Sequence, residues 1–198
     1  MPRYDLITLA SASPRRQELL RQIGVAHEVA PADLDESRRP GEAPAAYVTR
    51  LARAKAEAVW ARDPGRPVLG ADTTVTLGGE LFGKARDQTE CLGMLEVLSG
   101  RTHEVMTAVA LRHADGVLEA LSVSEVTMRE LGRAECLRYW ATEEPLGKAG
   151  GYAIQGRAAS FITALRGSYS GVMGLPLAET AALLERAGVR MWNSGEGA

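Results

Sequence analysis

The sequence predicts an α/β protein built on a mixed, twisted sheet with flanking helices. Three observations predict it: strand-like and helix-like segments alternate along the chain, a long β-branched apolar run lies near the middle, and two later apolar runs flank a hairpin turn pair. Residues 4–10 read as a first strand, joined through a serine cap and Pro14 to a helix over 14–23. A short strand at 26–30 follows, then a helix from Pro44 to about residue 62. Residues 68–77 read as a central strand turning at Gly78-Gly79, and 88–98 as a helix stopped by Gly100. The arms 104–112 and 117–128 make a hairpin, with Asp115-Gly116 as a favoured turn pair. A helix over 134–141, a glycine-rich loop over 147–156, a strand over 161–165 and a helix over 177–187 close the chain. The charged stretch 33–44 is short enough to be a loop, and 194–198 reads as a frayed tail, which leaves 1–193 as one domain with two lobes.

At 198 residues, 45% hydrophobic and 24% charged, the chain can bury a core without disulfides or structural metal. A net charge of −2 gives no broad field for nucleic acid or a membrane surface, so any anion must be held locally. Cys91 and Cys136 lie in helical stretches without metal or redox spacing and read as reduced packing residues. No run approaches the roughly 18 apolar residues of a membrane span, and the first residues resemble no leader. A cytoplasmic location is expected.

Chemistry-bearing residues cluster at a few points. Ser11-Ala12-Ser13-Pro14-Arg15-Arg16 joins a strand to a helix, and cations in a first helical turn oppose the helix dipole by roughly 0.3–1 kcal/mol each. A bound anion would reverse that sign, so amides, hydroxyl and guanidinium groups here suit phosphate; solvated surface arginines are the other reading. On the anion reading, losing either arginine should preserve or slightly raise the stability of the ligand-free protein. Leu51, Lys55 and Val59 recur four apart, which puts Lys55 on the apolar stripe, either aimed into a cleft or snorkelling to water. Lys84 is a further candidate cation or a solvated loop charge. Asp72 interrupts the central apolar run, and a carboxylate there needs a cation, a metal or a proton to carry. Glu36 is a candidate metal carboxylate or part of a solvated acidic loop.

Several patterns fail on inspection. Gly78-Gly79-Glu80-Leu81-Phe82-Gly83-Lys84 has a phosphate-loop spacing, but Ala85 stands where a metal-binding hydroxyl belongs. His103-Glu104 lacks the second histidine of a zincin, because Thr107 occupies its place. Gly167-Ser168-Tyr169-Ser170-Gly171 has tyrosine where a nucleophile elbow needs serine. His27 and His113 read as surface or packing residues.

Five ordered motifs remain: the Ser11 to Arg16 segment, Gly70-Ala71-Asp72-Thr73, Leu98-Ser99-Gly100-Arg101-Thr102-His103, Lys148-Ala149-Gly150-Gly151-Tyr152-Ala153-Ile154-Gln155-Gly156, and Gly167-Ser168-Tyr169 through Gly174-Leu175-Pro176. With them the chain resembles the Maf family over about residues 6–188. The resemblance implies a two-lobed α/β fold similar to inosine-triphosphate pyrophosphatases, a cleft between the lobes, and nucleotide hydrolysis at the α–β phosphoanhydride with Mg²⁺ or Mn²⁺. It makes Asp72 the catalytic carboxylate, matches Glu36 to an acidic position associated with the cleft, and sets Ser11, Arg15, Arg16, Lys55 and Lys84 around the triphosphate; Asp72 and Glu36 stay the candidate metal carboxylates. Arg15, Thr73 and Gln155 match positions that separate substrate classes, and Ile154-Gln155-Gly156 looks like the dTTP and UTP branch. The Gln155 amide can meet the O4 acceptor and N3 donor of uracil or thymine; flipped, it can meet cytosine. The expected partner is a nucleoside triphosphate, not nucleic acid or membrane, with a homodimer left open. A nucleotide-binding regulator of septum formation is the alternative from another class, and a housecleaning enzyme for modified nucleotides differs only in substrate. One departure is Lys84-Ala85 where the family commonly has Lys-Pro, which predicts a less rigid loop.

Overall fold

Two parallel pairings start the sheet: β1 (Ile7–Leu9) lies between β2 (His27–Val29) and β3 (Val68–Leu77). β3 turns at Gly78-Gly79 into a short antiparallel partner, β4 (Glu80–Phe82), which the sequence pattern did not disclose. Its other edge pairs antiparallel with β5 (Thr102–His113), and β6 (Gly116–Met128) and β7 (Ile162–Arg166) continue the ladder. The order is β2-β1-β3-β5-β6-β7, a mixed sheet as expected. This computed structural model describes residues 3–192, so the tail expected over 194–198 lies outside the described residues.

Helices cover both faces. α1 (Pro14–Gln22) and α6 (Leu177–Arg186) pack on one face around Ile7, Leu20, Leu69, Leu111 and Leu184. α2 (Pro44–Trp60) packs on the other, burying Val48, Ala52, Ala56 and Val59 against Val68, Ala108 and Ala110. Beyond them the same strands enter a second cluster, where Val75, Val105 and Val126 meet α3 (Gln88–Leu98) and α4 (Arg133–Trp140). The result is two lobes strung on β3, β5 and β6. Cys91 and Cys136 are free and buried in that second cluster, as packing residues should be.

The contact between α2 and β3 is unusually close because it is made by small residues. A Cβ on Gly70 would lie 2.2 Å from the Ala52 carbonyl oxygen and 2.8 Å from the Ala56 nitrogen. Gly70 is therefore required by the approach of the helix, not by its own dihedrals. Residue alternation then sends Gly70 and Asp72 to the α2 face of the sheet and Ala71 and Thr73 to the other.

Two local expectations shift. The hairpin turns on Ala114 and Asp115, not Asp115-Gly116; Gly116 pairs with His113 and takes the unusual dihedral, φ 137°. The strand expected over 161–165 begins at Ile162, because a 3₁₀ turn, Arg157–Phe161, precedes it, and a short helix α5 (Tyr169–Val172) follows where no element is expected. Among the described residues no helix is long and apolar enough to cross a membrane.

Candidate active site

The main cavity, about 650 Å³, opens between the lobes and is within the roughly 300–1,000 Å³ usual for small-molecule sites. Its lining is mixed: Ser11, Arg15, Arg16, Glu36, Lys55, Asp72, Lys84 and Lys148 supply polar and charged groups, and Val75, Val105, Ile154, Val172 and Met173 supply apolar wall, with Gln155 also on the lining. Every residue singled out in the sequence for a site role, Thr73 included, borders this space.

At its floor, Lys55 is buried on the apolar stripe of α2 and does not snorkel out. Its Nζ donates to Asp72 Oδ1 at 2.6 Å and contacts Glu36 Oε1 at 2.7 Å. The tight Gly70 contact makes this possible, since Lys55 stands one turn beyond Ala52 and Asp72 two residues beyond Gly70. Burial raises the Asp72 carboxyl above its ordinary value, against the opposing charges of Lys55 and Arg16. Glu36 goes the other way: burial would raise it, but the hydrogen bond and charge of Lys55, helped by Lys84, hold it below the usual carboxylate range. The acidic loop residue is thus drawn into the cluster, with Lys84 Nζ 3.5 Å from Glu36 Oε2.

The two arginines of α1 part company. Arg15 is half exposed and paired with Glu18 at 2.8 Å. Arg16 turns inward, donating from Nε to the Gly174 carbonyl at 2.7 Å, from one terminal nitrogen to Ser11 Oγ at 3.0 Å and from the other to Thr73 Oγ1 at 3.2 Å. Thr107 donates its hydroxyl to the Gly171 carbonyl at 2.7 Å, so across the 2.9 Å contact the Thr73 hydroxyl must donate to Thr107. Arg16, Thr73 and Thr107 form one directed chain from α1 through the sheet to α5. The expectation that removing either arginine spares the ligand-free protein fails for Arg16: Arg16→Ala should cost about 2–4 kcal/mol in thermal or urea unfolding, through the partners it orphans. Arg15→Ala should stay within about 0.5 kcal/mol.

Ser13 holds the N-cap position of α1 with Pro14 after it but makes no side-chain cap; its own amide donates to Ser11 Oγ at 3.3 Å. The start of α1, Ser13 to Arg16, thus lines the cavity without a serine side-chain cap. On the opposite rim, Ala85 donates its amide to the Lys148 carbonyl at 3.1 Å and accepts from Gly147 at 2.9 Å, next to an antiparallel bridge between Lys84 and Ala149. A proline at residue 85 could not donate that bond. The loop bearing Lys84 is braced by pairing instead of ring rigidity, which corrects the expectation from Lys84-Ala85.

A cleft lined by cations, an apolar wall and a buried carboxylate defines an α/β protein suited to a phosphorylated ligand with a partly apolar body. The Maf-like protein family model matches residues 6–187, and the chain belongs to that family. It is 55% identical over 192 residues to the dTTP/UTP pyrophosphatase of Bordetella avium (strain 197N), covering 92% of this chain and 96% of that protein. With the dTTP/UTP pyrophosphatase of Anaeromyxobacter dehalogenans (strain 2CP-1 / ATCC BAA-258) it shares 56% identity over 186 residues, 92% of this chain and 94% of the other. Among solved structures, the Ham1 protein of Staphylococcus aureus matches 91% of this chain and 98% of its own at 14% identity and a TM-score of 0.49, a likeness too slight to carry an argument.

Proposed function

We propose that this protein is a nucleoside triphosphate pyrophosphatase that hydrolyses dTTP and UTP to the monophosphate and pyrophosphate. The observation that carries the reading is the buried Asp72 held by Lys55 at the floor of a cleft whose rim is cationic, in a chain so similar to proteins named for that activity. In this reading Asp72 takes the proton of the attacking water, and its raised affinity for a proton suits a base working nearer neutral pH. Lys55 orients that carboxylate. Arg15, Arg16, Lys84, Ser11 and the α1 amides hold the phosphates and offset charge growing on the leaving pyrophosphate. Thr73 shapes the wall that separates substrate classes.

A divalent cation fits only as a guest shared with the substrate. Among the described residues no group of three or more His, Cys, Asp or Glu side chains could hold one, but Mg²⁺ is commonly held by one or two carboxylates together with phosphates and water. Asp72 and Glu36 would be those carboxylates, for Mg²⁺ or Mn²⁺, through the oxygens that Lys55 does not hold. When bound, the cation would supply charge neutralisation along the phosphates. The partner is thus a free nucleotide, and the protein's place is the cytoplasm, within one two-lobed unit over residues 1–193. The test is to incubate a panel of triphosphates with the protein and Mg²⁺ or Mn²⁺ and identify both products: monophosphate plus pyrophosphate is expected, and orthophosphate or no turnover overturns the reading.

Gln155 carries the choice of base. Gln155→Ala should keep hydrolysing triphosphates but lose preference for dTTP and UTP over ATP and GTP, by roughly 5- to 150-fold in the ratio of kcat/KM values. Ratios measured on both proteins under one metal condition decide it. An unchanged ranking would remove Gln155 from the base pocket.

A further inference from the structure

We propose that Glu144, acting in part through Tyr139, is a positioning residue for substrate selection, clamping both ends of the turn that presents Gln155. The inference rests on the pyrimidine reading above and adds to it the residues that aim the reader. Gln155 sits between Ala153 and Gly156, with the Gly156 amide donating back to the Ala153 carbonyl at 3.0 Å. On the N-terminal side of that turn, the Ala153 amide donates to the Tyr139 hydroxyl at 3.2 Å, and Tyr139 donates to Glu144 Oε1 at 2.9 Å. On the C-terminal side, the Arg157 amide donates to Glu144 Oε2 at 2.9 Å and the Ala158 amide to Oε1 at 3.3 Å. One carboxylate thus fixes the backbone before and after Gln155.

The fit leaves no slack. A Cβ on Gly156 would lie 2.4 Å from Glu144 Oε2, so a side chain there would have to push the Glu144 carboxylate off the turn. Glu143, left-handed at φ 61°, ends the turns by which the chain leaves α4, its amide donating to the Trp140 carbonyl at 2.9 Å, and Glu144 follows it directly. Tyr139 is buried, its ring edge against Phe161 with centroids 5.0 Å apart, so its hydroxyl is carried on a fixed post. A second post supports the same loop from the sheet: Tyr152 Oη and His103 Nε2 are 2.8 Å apart in the core. None of these groups needs to touch the nucleotide. Their common product is the placement of an amide whose two hydrogen bonds demand fixed geometry.

The test uses two conservative variants, Tyr139→Phe, which keeps the ring and removes one arm, and Glu144→Gln, which keeps the shape and removes the charge. For each, kcat and KM are measured with dTTP, UTP and ATP, and the cycle is completed in a Gln155→Ala background. The expected result is a fall of about 3-fold or more in the dTTP-to-ATP ratio of kcat/KM, driven by a higher KM for the pyrimidines. In the Gln155→Ala background the same substitutions should leave the ratio unchanged. A uniform loss over all three nucleotides that tracks a lower Tm would overturn the proposal in favour of simple structural support. If Gln155→Ala shifts the ratio but neither variant does, the clamp alone is wrong. If Gln155→Ala itself leaves the ratio unmoved, the base reading fails and the clamp's role in selection goes with it.

Discussion

Asp72→Asn is expected to fold with its cleft intact and to turn over dTTP roughly 10²- to 10⁴-fold more slowly, the range for losing a positioned base. The amide keeps an acceptor for Lys55 but cannot take a proton from water. Because Glu36 also holds Lys55 at 2.7 Å, the lysine is not left as an isolated buried charge, and the variant should remain soluble and cooperative in unfolding. The pH dependence gives an independent check. Burial lifts the folded-state value of Asp72 above its ordinary 3.8, so the acid limb of kcat/KM should lie above 3.8 and vanish in the variant's residual activity. For stability the sign is set by a raised folded value: the contribution of Asp72 is fully present below the unfolded value and is lost as pH rises through the folded one. The stability of the native protein relative to Asp72→Asn should therefore decline as pH rises. Near-normal turnover by the variant at saturating metal and nucleotide would transfer the role of base to Glu36.

Gly70→Ala should be severely destabilising. The added carbon meets helix backbone, which cannot rotate away as a side chain would, so α2 must lift from the sheet. A loss of at least about 3 kcal/mol is expected, or roughly 6–12 °C in Tm for a chain of this size. Turnover should fall as well, because lifting α2 draws Lys55 from Asp72. Gly83→Ala is the control: nothing lies within 4 Å of its built Cβ, and both stability and activity should stay near native. Equal melting of the two variants would mean that α2 can reseat without strain.

How much of this could be read from sequence depended on how far the partners lay along the chain. Lys55 was legible because its inward aim follows from spacing on a single helix, and Asp72 because a carboxylate within an apolar strand announces its need for a partner. Their pairing was not, since it depends on the Gly70 approach between two elements. For Arg16 the first-turn position is local information and suggested an anion ligand, but its structural role was not legible, since its acceptors Thr73 and Gly174 lie far along the chain. Glu144 and Tyr139 carried no signal at all: an acidic residue in a loop and a tyrosine on a short helix gain meaning only from the amides they meet. The short elements β4 and α5 were missed because three or four residues display no period and, unlike the three-residue β1 and β2, neither was singled out by its neighbouring segments.

The strands β3, β5 and β6 run without interruption through both lobes, with ladder pairing from Val68 opposite Arg112 to Thr76 opposite Glu104. A rigid-body opening of one lobe from the other would have to break or shear that ladder, whereas many two-part enzymes swing on a few linker residues. Any opening of the cleft is then expected in the segments along its edge, the Glu36 loop and the paired segments carrying Lys84 and Lys148, where Lys84 Nζ lies 3.5 Å from Glu36 Oε2. Hydrogen exchange on nucleotide binding should accordingly slow at these rim amides and leave the central strands, already protected, unchanged.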